Sequence, residues 1–361
     1  MSCELFCCEI PELLQYLKND SEDKMIRQLF SILDSMEPLD NYLAGYFEKV
    51  LEMLFRKLTA PVMRLLNTEG AALLNKFLGH IDNYSIMQLV QRLLLPHIPF
   101  SALAVEMSLQ DPQSELEEGE LSCNWSYQPG TCQLLCSRML TPAENPDVAA
   151  HVSDLLITVL QLSPPDALFL THMCEARCLL PLVAAAVGQH SMRVPEVTEA
   201  LSPDASVSLA CVSVLESLVS KLCEVVSAVD ANGQEVAAED VATAEAVIQQ
   251  NTTELCRHLL PSLPVISEQL RELCRTAQEH TICIQDHRVV PRLGIRGLQL
   301  VKLLESLIRI DEEAVDTAVV QSGALKASID LAFVYDMNSM LHLAMQRMVV
   351  LILDGGVQKK Y

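Results

Sequence analysis

The chain has 361 residues, half of them hydrophobic, only 4% aromatic, with a formal net charge of -22. That hydrophobic share excludes disorder throughout, and the length suits a large core or an extended helical array. A negative field of this size repels phosphate backbones, so no nucleic-acid partner is expected; a basic protein surface is the compatible one.

Leu, Val, Ala, Met and Glu are prominent and Gly is scarce, which favours helix over sheet. Ile10 to Leu17 and Met25 to Met36 read as two short helices. Asp20-Ser21-Glu22-Asp23 between them supplies carboxylates for the start of the second. Pro38 marks a break, and Leu39 to Leu58 follows as a long helix. Its Leu43, Phe47, Val50, Leu51 and Leu54 recur at three- and four-residue spacing, the pattern of one buried face. Glu48, Glu52, Lys49 and Arg56 take the other side. Thr59 before Pro61 opens the next helix, and Gly70 and Gly79 fall near boundaries. Asp82-Asn83 caps Tyr84 to Leu95, which Pro96 ends. Four short-linked amphipathic helices in a row, each needing a neighbour, are the mark of an α-solenoid.

The character then changes. No Lys or Arg occurs between Arg92 and Arg138, and residues 106 to 130 are acidic and turn-rich and hold the sole tryptophan, Trp125. This stretch reads as a loop or insertion. Helices resume at Thr131 to Met139, Pro146 to Leu162, Pro164 to Met173 and Cys174 to Val187. Residues 188 to 203 form a second loop. Asp204 to Val229 is strongly apolar and expected to be covered on both sides. After an acidic loop at 230 to 239 come Val241 to Leu260 and Ser262 to Ala277, then an irregular segment from 278 to 291. The last block has helices at 292 to 309, 311 to 321, 323 to 334 and 338 to 353, with Gly323 at a junction. No strict period appears.

The expected fold is therefore all-α, an irregular armadillo- or HEAT-like α-solenoid. The expected organisation is a helical block over 1–105, the acidic insertion over 106–130, a second block over 131–353 continuing the same array, and a tail over 354–361.

Thirteen cysteines are scattered without regular spacing, and Cys211, Cys223, Cys256 and Cys274 sit in apolar company. They read as reduced, buried thiols in a reducing compartment. Met1 is followed by acids with no basic segment, and no apolar run reaches the length of a membrane span. A cytoplasmic location, extending to the nucleus, is expected. Cys132 with Cys136, and His172 with Cys174 and Cys178, are the best metal-ligand spacings, but neither has the CxxC knuckle of structural zinc sites. Neither a metal nor a cofactor is expected. Phosphate-binding glycine loops, the GxSxG elbow and HExxH are all missing, so the chain reads as non-enzymatic. Arg56, Lys57 and Arg92 are basic groups gathered in the first block of an acidic protein. Arginine there can make forked hydrogen bonds to carboxylates of a partner.

An ordered set of motifs adds to this reading. It comprises Ser2-Cys3-Glu4-Leu5, Pro38-Leu39, Tyr46-Phe47 with Lys49-Val50, Arg56-Lys57, His80-Ile81, and Met87 with Arg92-Leu93-Leu94. Near the other end stand Arg292-Leu293, Leu303-Leu304, Tyr335, Asn338, Leu341-His342 and Leu351-Ile352-Leu353. In order and content the set resembles the SAPS domain, shared by the regulatory subunits of protein phosphatase 6, of which this chain looks like a divergent, short member. The resemblance brackets the chain and is weakest from about 100 to 200. It implies a non-catalytic regulatory or scaffold subunit that binds a Ser/Thr phosphatase catalytic subunit, with further scaffold proteins as possible partners. It places the partner contacts among Phe47, Arg56, Lys57, His80, Arg92, Asn338 and His342. The alternative is a helical adaptor for transport or complex assembly with a different protein partner.

Overall fold

A computed structural model describes residues 4, 7–18, 24–95, 125, 128–142, 145–188, 203–224, 238–285, 287–310 and 312–353. It is all-α apart from one short hairpin, with a solenoid-like stacking of helices. The chain divides into two compact units, Met1–Arg138 with Asp154–Leu162, and Met139–Ser153 with Ser163–Tyr361.

The first unit contains α1 (Pro11–Lys18), α2 (Lys24–Phe30) with a 3-10 turn (Ser31–Asp34), α3 (Asn41–Lys57), α4 (Thr59–Gly79), α5 (Tyr84–Leu94) and most of α6 (Pro129–Leu140). Asp40 caps α3 through its side-chain oxygen, which accepts from the Tyr42 and Leu43 amides. Asn83 caps α5 in the same way and also donates to Asn41, tying the two helix starts together. Gly70 sits at φ 47 inside α4 and bends it, so the stretch from 38 to 95 does hold four straight helical segments.

The core of this unit is mainly aliphatic and holds an aromatic cluster. Phe30, Phe47 and Phe77 form mutual ring contacts, and Trp125 meets Phe77 edge-on. Most of the acidic stretch, including Glu117 and Glu118, lies outside the described residues. Trp125, within the stretch read as a loop or insertion, is fully buried. A large apolar ring gains more from the Phe77 pocket than the local turn chemistry of its neighbours resists. Helix α6 begins at Pro129, two residues earlier than the periodicity suggested, and Arg138 anchors it by donating to the Leu78 carbonyl at 2.9 Å.

Helix α7 (Pro146–Leu162) runs through the division between the units. The second unit continues with α8 (Leu168–Cys174), α9 (Ala176–Val187), α10 (Pro203–Leu222), α11 (Ala238–Leu259) and α12 (Leu263–Arg275). A hairpin of β1 (Thr281–Cys283) and β2 (Val289–Pro291) follows. The last helices are α13 (Ile295–Arg309), α14 (Glu313–Ser322), α15 (Ala324–Val334) and α16 (Ser339–Leu353).

Its packing has a period of three helices: α10 lies on α13, α13 on α16, and α12 on α15. That is the stacking rule of an armadillo-type array. Helix α10 also touches α9 and α11, and 72% of its apolar window from Ala205 to Leu222 is buried, as expected for a covered core helix. By length and composition alone this helix could cross a membrane, as could the α8–α9 pair, bent by 59° at its break.

Polar groups inside the second unit are used to close helix ends. The carbonyls of Ala186 and Val187, at the end of α9, accept from Ser208, Arg296 and Gln269. Glu305 is buried on α13 and paired with Arg309 and Arg347. The segment read as irregular at 278 to 291 is partly ordered: Thr281, Ile282 and Cys283 pair antiparallel with Pro291, Val290 and Val289. The β-branched residues of TIC and VVP flank a polar turn, which is enough for a hairpin. The caps proposed at 20–23, and most of the loops read at 188–203 and 230–239, fall outside the described residues; α10 ends at Leu222, short of the expected Val229, and α11 begins at Ala238, inside the expected third loop.

Candidate partner-binding surface

The basic residues singled out above all lie in the first unit. Arg56 and Lys57 occupy the last turn of α3, where cations complement the negative end of the helix dipole. Both reach Glu9, at 3.4 and 3.2 Å. One turn earlier on the same helix, Glu52 pairs with Arg92 of α5. Glu52 and Arg56 are four residues apart and so share a face, which brings Arg56 and Arg92 to one side of the α3–α5 pair. Arg56 and Lys57 stay exposed, while the Arg92 side chain is 19% exposed and mostly committed to Glu52. Two further ion pairs, Arg27–Glu69 and Lys76–Asp34, dot the unit's surface. Its hydrogen bond to Asp34 is the main reason the Lys76 ammonium titrates above its ordinary range. Exposed pairs of this kind add little stability and can exchange partners at low cost.

Two of the candidate residues belong elsewhere. Phe47 is 2% exposed, held edge-to-face by Phe30, and His80 is 5% exposed with Nε2 at 3.3 Å from the Leu33 carbonyl. That carbonyl can only accept, so Nε2 carries the proton and the ring serves as a strut between α4 and the 3-10 turn. His80 is a packing residue, while Phe47, buried among the aromatic rings, also lines an apolar groove between α1, α2 and α3.

Asn338 and His342 lie in the second unit and build the turn from α15 to α16. Asn338 accepts from the Leu341 amide as a cap, and His342 Nε2 stands 3.3 Å from the Tyr335 carbonyl. His342 is exposed.

Sequence reasoning missed an apolar groove of about 500 Å³ between α1, α2 and α3, lined along α3 from Leu43 to Leu54. Tyr16, Met25, Leu43 and Tyr46 line it and are exposed. Leu43 was expected on the buried face of α3, and it points into this groove instead. The signal available was the overlap of an apolar stripe with Tyr42 and Tyr46, residues that suit a half-wet surface.

Among the described residues no group of three His, Cys, Asp or Glu side chains gathers as a metal site. Cys132, Cys136, Cys174 and Cys178 are all buried, and burial pushes the Cys174 thiol up to about 12. Such thiols act as small hydrophobic side chains.

Comparison with known proteins adds an external observation. The chain is 22% identical over 359 residues, 99% of its length, to serine/threonine-protein phosphatase 6 regulatory subunit 3 of Gallus gallus. It is equally similar, over 358 residues, to serine/threonine-protein phosphatase 6 regulatory subunit 3-A of Xenopus laevis. A 93-residue stretch is 29% identical to serine/threonine-protein phosphatase 6 regulatory subunit 2 of Mus musculus. The chain spans 37% and 38% of the length of the first two relatives. No family model matches the chain, and no solved structure matches it.

Proposed function

We propose that this chain is a non-catalytic regulatory subunit that binds a protein phosphatase 6-type Ser/Thr catalytic subunit and directs it to substrates. The observation that carries the reading is the similarity to regulatory subunits along 99% of the chain, since weak identity sustained end to end outweighs a short match. A stacked helical array supports it physically, because each added helix extends a continuous surface on which a globular partner can rest.

Within that reading, the partner contact is assigned to the α3–α5 face bearing Arg56, Lys57 and Arg92. Arg56 and Lys57 would trade Glu9 for carboxylates of the catalytic subunit, at little net cost for exposed groups, with Arg92 held beside them by Glu52. The apolar groove would take apolar side chains of the same partner. The reading carries with it a cytoplasmic location, extending to the nucleus.

The test is affinity purification of the tagged chain from its own cells, with partners identified by mass spectrometry. A phosphatase catalytic subunit in stoichiometric amount is the expected result. Its absence, with another protein in its place, would leave the adaptor reading standing.

A further inference from the structure

Among the described residues, the β1–β2 hairpin has a strand edge left open, and everything else regular is helix. Its hydrogen-bond ladder fixes which side is free. The Arg292 amide donates to the His280 carbonyl at 2.8 Å, and the Ile284 amide donates to the Arg288 carbonyl at 2.9 Å. Antiparallel pairs alternate between bonded and non-bonded, so Ile282–Val290 is bonded, while Thr281–Pro291 and Cys283–Val289 are not. The peptide groups of Thr281 and Cys283 therefore face outward from β1. On β2 the outward groups belong to Val289 and Pro291, and proline has no N–H to offer. Among the described residues, one edge is blunted and the other is open. All of β1 is exposed, and Ile282 is 42% and Val289 67% exposed, apolar β-branched side chains standing in solvent.

The charge around this edge is near neutral in a strongly acidic chain. Arg288 and Arg292 stand here with the imidazoles of His280 and His287, against Glu279 and Asp286, in a protein of net charge -22. We propose that the outer edge of β1 is a docking site for an acidic, extended segment of a partner protein, which adds as a third strand. Main-chain hydrogen bonds from Thr281 and Cys283 would hold it, Ile282 would pack one of its apolar side chains, and the cations would select acidic neighbours. The proposal stands apart from the phosphatase reading, which concerns the first unit.

The experiment uses the full chain and a fluorescein-labelled hexapeptide alternating Glu and Val, followed by fluorescence anisotropy. Saturable binding is expected, with none for the Lys/Val counterpart. Arg288→Glu should weaken it about tenfold or more. N-methylation of every second peptide amide keeps the charge and removes the strand hydrogen bonds, so binding should be lost. Cys283→Pro removes one outward N–H and spares the ladder, so it too should weaken binding, with helical circular dichroism as the check on folding. If that variant misfolds, the N-methylated peptide makes the same test on the unaltered chain. Absence of saturable binding overturns the proposal, as does equal binding of the N-methylated peptide. A rise in affinity on deleting residues 106–124 would assign the edge to the chain's own acidic segment and overturn the partner assignment.

Discussion

Trp125 stands edge-on to Phe77, with ring centroids 5.9 Å apart and planes inclined at 69°. The contact ties the residue that precedes α6 to the aromatic cluster built by α2, α3 and α4. As the sole tryptophan, and a fully buried one, it makes the first unit self-reporting. Native emission should be blue-shifted and resist acrylamide quenching, and unfolding should reverse both. Trp125→Ala should cost about 3–5 kcal/mol in urea unfolding of this unit, from lost burial plus the cavity left behind. A loss under about 1 kcal/mol would place the ring outside the core.

The second unit has a comparable pin. The Tyr335 hydroxyl donates to the Leu273 carbonyl at 2.8 Å, joining the end of α15 to α12. Burial pushes the phenol up to about 12. Tyr335→Phe leaves that carbonyl short of a partner and should destabilise the unit by about 1–3 kcal/mol. Ultraviolet titration should find one tyrosine still protonated after the exposed ones have ionised.

Buried thiols set an alkaline limit. Burial pushes Cys174 and Cys211 from an ordinary value near 9.0 up to about 12. Between these values the unfolded chain has lost thiol protons that the folded chain retains, so the unfolded state binds fewer and stability falls as pH rises. The contribution is whole below pH 9 and declines by about 1.4 kcal/mol per pH unit for each thiol above it. Urea midpoints at several pH values would measure the slope, and Cys211→Ala should make it shallower. The same two thiols should be silent to a disulfide reagent until the chain unfolds.

Gly323 closes α14 at φ 73, and the Arg271 guanidinium occupies the space a side chain would need while it approaches the Ser322 carbonyl. Gly323→Ala would meet both the left-handed backbone and that guanidinium. A loss of about 1–3 kcal/mol in unfolding free energy is expected. An unchanged midpoint would mean that the junction between α14 and α15 rearranges freely.

How much was legible follows a physical line. Helices with a sustained 3.6-residue period, such as α3, α7 and α15, stood close to where the apolar spacing put them, because that signal is local, whereas α10 ended seven residues before the expected Val229. The burial of Trp125 was not legible, because its pocket is made by Phe77, far away in the chain. The hairpin went unread because two three-residue strands carry too little period to outweigh an all-helical background. Phe47 and His80 matched a family pattern, and a shared residue can be shared for packing as readily as for contact. Arg56 and Lys57 were legible as exposed, but their common tie to Glu9 was not, since it joins the chain's first residues to the end of α3.

The central claim is phosphatase binding through the α3–α5 face. Its most direct test mixes the purified chain with a purified protein phosphatase 6 catalytic subunit and follows them by size-exclusion chromatography with light scattering. The account predicts a one-to-one complex that the Arg56→Glu, Lys57→Glu double variant weakens about tenfold or more while melting like the parent chain. Separate elution of the two proteins would contradict the regulatory reading; a complex untouched by the double variant would keep that reading and move the contact to another face.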